Sequence, residues 1–231
     1  MPHVSKLLVL TLVLGLTLAV PLYAQTQDLK FKHINVADGL SYGNVNAIFQ
    51  DRQGFLWFGT WDGLNKYDGY RFTTYNHNRL DTTSISGNHI SVIRQGPDGT
   101  IWVGTARSGL NRFDPATERF TRYRHDPDDP HTLSHDGIAH IHIDQAGRLW
   151  ILSRDEQAGL NSTYPDMFTR LDRLDPETGL VTRYRHDPDD PQSLGHDVVL
   201  FITRTGDYKY SGKSYAVFGS DAQQDLLQGF S

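Results

Sequence analysis

The sequence contains no cysteine, which excludes disulfide bonds and thiolate metal ligands. It has no run of Lys or Arg and a formal net charge of −5, which argues against binding to nucleic acids or to an anionic membrane surface. After residue 25 it also lacks an apolar segment long enough to span a membrane and any low-complexity tract. What remains is 231 residues with 38% hydrophobic and 11% aromatic content, which suffices for a substantial folded core.

The start of the chain has the pattern of an export signal. Lys6 supplies a positive charge, and residues 7–20 form an apolar run that is short for a membrane span. Pro21 ends this run, and Ala24 is a small residue suited to cleavage before Gln25. We predict a signal peptide over residues 1–24 and a periplasmic or secreted mature chain; an uncleaved N-terminal anchor is the alternative.

A motif centred on tryptophan recurs three times. Trp57 and Trp102 are 45 positions apart, and Trp150 follows 48 positions later. The copies read FLWFGT from residue 55, TIWVGT from residue 100 and RLWILS from residue 148. The first two continue into GLNKYD and GLNRFD, and TRYRHDPDDP occurs identically at residues 121–130 and 182–191. Repetition with a period in the forties is typical of β-propeller blades.

Each repeat divides into four short strands separated by glycine-containing turns. We therefore predict an all-β protein with three four-stranded propeller blades, at about residues 29–80, 81–130 and 131–190, and a partial fourth blade at 191–202. A closed propeller usually has about 4–8 blades, so we expect an incomplete propeller. The recurring tryptophans are expected in the core between blades, and the glycine after them is expected to let another backbone approach. Residues 203–231 depart from the repeat.

The third repeat contains an insertion. Gly159-Leu160-Asn161 matches the Gly-Leu-Asn of the other copies, and Ser162 to Arg170 then interrupts the pattern. Insertions between blade strands reach the surface and often line a binding face. This segment is our candidate specificity loop, and an ordinary surface loop is the alternative.

These repeats resemble the two-component regulator propeller repeat, through IFQDRQGFLWFGT at residues 48–60 and DGLNKYD at residues 62–68. The resemblance covers residues 29–202. It implies the periplasmic sensor region of a hybrid histidine kinase, of which this chain would be an N-terminal fragment. Many such receptors are similar to regulators of polysaccharide utilisation that sense glycan fragments. No kinase region is recognisable in this sequence, so we expect the chain itself not to be an enzyme.

Three patterns could carry chemistry, and for each the structural interpretation is favoured. Ser41 lies in a Gly-x-Ser-x-Gly pattern, but equivalent serines, Ser86 and Ser134, begin the next repeats. A histidine group could bind a metal if a further ligand converged on it, but it is not part of the repeat. Its members are His135, His140 and His142, of which the last two would share one face of a strand.

An aspartate-rich segment is the third pattern. Its carboxylates are Asp126, Asp128 and Asp129, repeated as Asp187, Asp189 and Asp190. A calcium loop would need a longer ladder of ligands, whereas Asp-Pro commonly begins a turn. We therefore expect turns between blades, and we predict no catalytic residue, no metal site and no cofactor.

Aromatic residues outside the repeated positions are the candidates for ligand contact: Trp61, Tyr70 and Tyr164. We expect a ligand-sensing propeller whose ligand, if the resemblance extends to function, is a glycan fragment or another small molecule. The alternatives are a secreted propeller lyase or glycosidase that acts on polysaccharide, and a protein-binding repeat module. Self-association, or a partner that completes the propeller, is also expected because an incomplete propeller exposes strand edges.

Overall fold

The computed structural model describes residues 31–154 and 169–194, together with the backbone of residues 202–203 and 216–217. The described residues from Ile34 onward belong to one compact unit. The predicted signal peptide at residues 1–24, Tyr164 and most of residues 203–231 lie outside the described residues.

Three sheets of four antiparallel strands make up the described fold, each with its strands in sequence order. Blade 1 consists of β1 (Val45–Gln50), β2 (Leu56–Thr60), β3 (Gly63–Tyr67) and β4 (Phe72–Tyr75). Blade 2 consists of β5 (Ile90–Gln95), β6 (Ile101–Thr105), β7 (Leu110–Asp114) and β8 (Arg119–Tyr123). Blade 3 consists of β9 (Gly137–Ile143), β10 (Leu149–Arg154), β11 (Thr169–Leu174) and β12 (Val181–Tyr184). The prediction of an all-β fold with three four-stranded blades is confirmed.

Helical structure is confined to one short turn in the described ranges, a 3-10 helix over Val36–Asp38. The part of the chain that the structure describes has no helix with the length and apolar character needed to cross a bilayer. Beyond blade 3, β13 (Ile202–Thr203) pairs in parallel with β14 (Ala216–Val217), whereas neighbouring strands within the three blades are antiparallel.

The first two recurring tryptophans pack where one blade meets the next, and the third, Trp150, is also buried. Trp57 is 1% exposed and shares a cluster with Ile93, Ile101 and Phe113 of blade 2. Its indole meets the Phe113 ring edge-on, with the ring centroids 5.3 Å apart. Trp102 packs in the same way against blade 3. The predicted core position of these tryptophans is confirmed.

The glycine two residues after the tryptophan makes room for a side chain of the next blade. A Cβ on Gly59 would lie 2.6 Å from Cγ2 of Ile90, and one on Gly104 would lie 2.7 Å from Cγ2 of Ile138. The approach of another backbone, expected here from the sequence, is not what the structure has; the group that approaches is an isoleucine side chain. Blade 3 has Leu152 at the corresponding position.

The first strand of each blade, here called its inner strand, is an edge of its sheet and contains a β-bulge. The bulged residue ties its blade to the next one. Asn46 Nδ2 donates to the carbonyl of Ile90 at 3.0 Å, and Ser91 Oγ donates to that of Ile138 at 2.6 Å. Blade 3 has Ala139 at this position, which has no side-chain donor. The inner strands β1, β5 and β9 therefore lie side by side.

The third strand of blade 3 is not where the sequence match placed it. Gly159-Leu160-Asn161 lies outside the described residues, and the third strand is Thr169–Leu174. In this strand Asp172 pairs with Ile151, as Asn111 pairs with Val103 in blade 2. The Gly-Leu-Asn match does not identify the third strand, because the identity of a strand depends on its pairing register, which a match of three residues does not specify.

The face of blade 1 that points away from blade 2 is only partly covered. Leu40 and Ile34 pack on Phe58 and Tyr67 of this face. Ile48 on the same face is 67% exposed, whereas its counterparts Ile93 and Ile141 are 1% and 0% exposed because a preceding blade covers them. This is the face that a preceding blade would cover.

We expect Gly104→Ala to destabilise the chain by about 1–3 kcal/mol, because the added methyl overlaps with Val92 and Ile138 at the boundary of blades 2 and 3. Gly43→Ala is the matched control, since a Cβ at Gly43 meets nothing within 4 Å. Urea unfolding monitored by tryptophan fluorescence measures both free energies of unfolding. Equal effects of the two substitutions would contradict the packing role of Gly104.

Candidate functional site

The strand registers define two ends of blade 1. Val45 and Gly63 both pair with Thr60, so the start of β1 and the connection from β2 to β3 lie at one end. Leu56 pairs with Tyr67, so the turn from β3 to β4 lies at the other end. Trp61 follows Thr60 and Tyr70 lies in the turn after Tyr67, so we call these the Trp61 end and the Tyr70 end.

An aromatic cluster lies at the Trp61 end and consists of Tyr42, Trp61 and His89. The rings of Tyr42 and Trp61 are nearly parallel, 6° apart, with centroids separated by 6.2 Å. The Trp61 and His89 ring centroids are 5.4 Å apart. Trp61 is 50% exposed and Tyr42 is 43% exposed, so both rings are accessible to a ligand. Parallel, half-exposed rings with polar edges can stack on a flat apolar surface and hydrogen-bond at its rim.

Hydrogen bonds at the boundary of blades 1 and 2 hold this cluster in place. Trp61 Nε1 donates to Asn46 Oδ1 at 3.1 Å, and Asn46 is itself tied to Ile90 of blade 2. Asn88 Nδ2, next to His89, donates to Asp62 Oδ1 at 2.9 Å. The cluster therefore combines residues from two blades. Trp61 is a contact residue predicted from the sequence, whereas Tyr42 and His89 are not predicted, because only the pairing of the two blades brings them together.

Tyr70 is not part of this cluster. It is 94% exposed in the turn at the Tyr70 end, where Asp68 Oδ1 accepts the backbone N–H groups of Tyr70 and Arg71 at 2.8 Å each. These backbone hydrogen bonds, that of Arg71 first, lower the pKa of Asp68. The five residues of β3 separate Tyr70 from Trp61, a strand length of about 15 Å. The two aromatic candidates therefore do not converge on one ligand.

Tyr164 lies outside the described residues, and so do residues 162–168 of the predicted specificity loop. The last two residues predicted for that loop, Thr169 and Arg170, belong to β11. The segment that contains Tyr164 begins after Arg154 and ends before Thr169, which pair with each other. Both attachment points lie at the end of blade 3 that corresponds to the Trp61 end, because Ser153 and Arg154 pair with Ile138 and Gly137 at the start of β9. The insertion thus leaves and rejoins the sheet at this end.

Ser41 belongs to a repeated structural network. Its backbone N–H donates to Asn65 Oδ1 at 3.0 Å, and Asn65 Nδ2 donates to Ser41 Oγ at 2.8 Å. In blade 2, Ser86 and Asn111 make the same pair of hydrogen bonds, at 2.8 and 2.9 Å. The serine hydroxyl in each blade therefore anchors the segment before the inner strand to the third strand.

Blade 3 has a carboxylate in place of the network's amide. Asp172 is fully buried and accepts hydrogen bonds from the backbone N–H and the hydroxyl of Ser134 and from Ser153 Oγ. Burial raises the pKa of Asp172, against the opposing effect of these hydrogen bonds and of Arg185. Arg185 Nη2 donates to Ser134 Oγ at 2.6 Å, which places a cation beside the network.

The other patterns that sequence analysis considered are also resolved by the register. His140 and His142 pair with Leu152 and Trp150, so they share one face of β9, as predicted. His135 lies before this strand, and its ring is 6.0 Å from that of His125. Within the described residues, no group of three or more His, Asp or Glu side chains is arranged to hold a metal ion.

The aspartate-rich segments form turns. Asp126 Oδ1 accepts the backbone N–H of Asp128, and Asp129 Oδ1 accepts that of His131, at 2.9 and 2.8 Å. Arg183 of β12 donates to carbonyls of this segment, including that of Thr132 at 2.7 Å. The predicted turns are confirmed. Arg183 also holds the loop before blade 3 to β12, the last strand of that blade, by hydrogen bonds.

Two segments of the chain, residues 39–62 and 84–107, match the family described as the two component regulator propeller. These two segments contain the Trp57 and Trp102 strands, so the family match falls on the first two copies of the repeat. A histidine kinase of Formosa agariphila is 47% identical over 78 residues, which are 34% of this chain and 6% of the kinase.

A solved structure is similar over a longer part of the chain. It is the extracellular domain of a hybrid two-component system of Bacteroides thetaiotaomicron, 30% identical, with a TM-score of 0.60. The match covers 74% of this chain and 22% of that domain. The chain thus resembles part of the extracellular propeller region of a sensor and spans less than a quarter of either protein.

Asp172→Asn is expected to stabilise the chain at neutral pH. Because burial raises the pKa of Asp172, the folded state favours the protonated form of this carboxyl. The free energy of unfolding therefore falls as the pH rises above 3.8, the ordinary pKa of an aspartate. The amide removes this dependence and restores the pairing seen in blades 1 and 2. The matched control is Asn111→Asp, which should cost on the order of 3–5 kcal/mol by burying a charge, because Arg124, the counterpart of Arg185, pairs with Asp136. Urea unfolding at pH 5 and pH 7 tests both, and a lower stability of Asp172→Asn at pH 7 would refute the first.

Acrylamide should quench roughly a quarter of the tryptophan fluorescence, because Trp61 is 50% exposed and the other three tryptophans are at most 2% exposed. Trp61→Phe should remove the quenchable fraction, and Tyr70→Phe should leave it unchanged. Quenching that persists in Trp61→Phe would show that one of the core tryptophans is accessible.

Proposed function

We propose that this chain is a ligand-binding sensor module of an exported two-component receptor, and that the aromatic cluster contacts the ligand. The observation that carries the proposal is the nearly parallel, half-exposed pair of Tyr42 and Trp61. The indole N–H of Trp61 donates to Asn46, so the surface that Trp61 offers to a ligand is mainly its apolar ring. The repeats and the similarity to an extracellular sensor domain support the sensing role.

The ligand that we propose is a glycan fragment. Sugar rings have an apolar face of C–H groups and a polar rim, which matches exposed aromatic rings flanked by hydrogen-bonding groups. Asp62 and Asn88 at the boundary of blades 1 and 2 supply such groups beside the rings. In this proposal the output passes to a histidine kinase elsewhere in the receptor, and the N-terminal segment directs export.

The secreted-enzyme alternative has no comparable support. The Ser41 hydroxyl serves the structural network with Asn65 and Thr60, and the same arrangement of serine and asparagine recurs in blade 2. A repeated hydrogen-bond pair is explained by the architecture of the blade. We therefore do not assign Ser41 a nucleophilic role.

Titration of the full mature chain with a panel of neutral and acidic oligosaccharides, followed by calorimetry, tests the proposal. For an oligosaccharide that binds, Trp61→Ala should weaken binding about tenfold or more, because one stacking contact is worth about 0.5–1.5 kcal/mol beyond the buried area. Tyr70→Ala, which removes a more exposed ring at the opposite end, should leave Kd unchanged. Binding that depends on Tyr70 and not on Trp61 would overturn the assignment of the site.

A further inference from the structure

The loops that follow the last strands of the blades share one hydrogen-bonded conformation. Three copies lie in the described residues: loop 1 (residues 78–85), loop 2 (residues 126–133) and loop 3 (residues 187–194). In each copy the hydroxyl of the seventh residue accepts the backbone N–H of the first residue at 2.8 or 2.9 Å; these hydroxyls belong to Ser84, Thr132 and Ser193. The backbone N–H of the seventh residue donates to the carbonyl of the fourth residue in all three loops.

A histidine just before each loop completes the repeat. Its Nδ1 donates to the carbonyl of the eighth residue at 2.6–2.8 Å in all three copies, from His77, His125 and His186. The side chain of the first residue of each loop also accepts the backbone N–H of the third residue at 2.9 Å. These hydrogen bonds give loop 3 the conformation of loops 1 and 2.

Loops 1 and 2 each hold an arginine from the last strand of the following blade, here called its outer strand. Arg122 of β8 donates through Nε to the carbonyl of Ser84 at 2.8 Å. Arg183 of β12 donates in the same way to the carbonyl of Thr132 at 2.7 Å. The Nη2 atoms of the two arginines donate to the carbonyl of the fourth loop residue and to the loop hydroxyl, each at 2.8 or 2.9 Å. A guanidinium satisfies several oxygens at once because its N–H groups lie in one rigid plane.

The backbone of the outer strand contacts the same loop. Two positions before the arginine, the N–H of Phe120 donates to the carbonyl of Thr83 at 2.8 Å. In blade 3 the N–H of Val181 donates to the carbonyl of His131 at 2.9 Å. Loops 1 and 2 thus contact an outer strand at two points, a backbone N–H and an arginine side chain.

Loop 3 has the acceptors that these contacts require. The matching carbonyls belong to Asp190, Gln192 and Ser193, and the Ser193 hydroxyl occupies the place of the Thr132 hydroxyl. The carboxylates at the first, third and fourth positions of loop 3 repeat those of loop 2 and favour a cation. Because loops 1 and 2 both bind an arginine in this conformation, loop 3 is suited to the same group.

We propose that loop 3 is a binding site for the guanidinium group of an arginine on the outer strand of a further propeller blade. The loop hydroxyl precedes this arginine by 38 residues in the first copy and by 51 in the second. Arg204 is the sole arginine after loop 3, follows Ser193 by only 11 residues and comes directly after β13. The arginine therefore comes from a segment other than residues 195–231. The site does not depend on the proposed function.

Blade 1 of a second copy of this chain does not fit the site. Its outer strand has Thr74 opposite Asn65, at the position that Arg122 and Arg183 occupy in blades 2 and 3. The Thr74 hydroxyl donates to Asn65 Oδ1 at 3.1 Å within its own blade. A threonine has one hydroxyl donor on a short side chain, which cannot replace the forked donors of a guanidinium. Loop 3 therefore disfavours a head-to-tail ring of identical chains.

Titration of the isotope-labelled full mature chain with N-acetyl-arginine amide, monitored by NMR, tests the proposal. The backbone amide signals of Asp189, Gln192 and Ser193 should shift, with half-saturation on the order of 10–100 mM, because a few hydrogen bonds from one charged group give weak affinity. N-acetyl-lysine amide at the same concentration is the matched control and should cause much smaller shifts, since an ammonium lacks the planar fork. Loops 1 and 2 should not respond, because Arg122 and Arg183 occupy them.

Two variants make the result specific. Arg183→Ala vacates loop 2, whose amide signals should then respond to N-acetyl-arginine amide; Arg122→Ala vacates loop 1 in the same way and replaces this control if Arg183→Ala does not fold. Arg204→Gln tests the source of the arginine. The proposal is overturned if loop 3 does not respond, if the lysine compound shifts its signals equally, or if loop 3 responds only in Arg204→Gln, which would place the arginine within this chain.

Discussion

The packing of a second-strand tryptophan against the next blade is the contact on which the rest of the structure depends. Trp57 buries its indole against Phe113, and Asp51 accepts the indole N–H at 2.7 Å. The same carboxylate caps the turn between β1 and β2 by accepting the backbone N–H groups of Gln53 and Phe55. One aspartate thus fixes both the turn and the indole that packs against the next blade.

Departures from the repeat mark positions at which the blade architecture does not dictate the residue. Trp61 is exposed, whereas Ala106 at the matching position of blade 2 is buried. His140 occupies a position that is Ala47 or Val92 in the other blades, and Asp172 replaces an asparagine. A repeat protein lets such residues be recognised, because the unchanged copies show what the fold alone requires.

Blade 3 differs from the other two on the side that faces away from blade 2. Leu152 replaces the glycine that admits an isoleucine, and Ala139 replaces the hydrogen-bonding bulge residue. Two means by which blades 1 and 2 engage the following blade are therefore altered together. Whatever packs on this side of blade 3 must do so with a different fit, since the volumes and hydrogen-bond donors at the boundary have changed.

The sequence by itself determined the all-β class, the repeat length, the buried tryptophans and the turns of the aspartate-rich loops. These features recur at fixed spacing and depend on residues close along the chain. Only the tertiary structure decided the register of the third strand in blade 3, where Asp172 and not Asn161 occupies the network position. It also separated Trp61 from Tyr70 and joined Trp61 to Tyr42 and His89. Such groupings depend on strand pairing and on contacts between blades, and residues far apart in sequence carry no local signal of them.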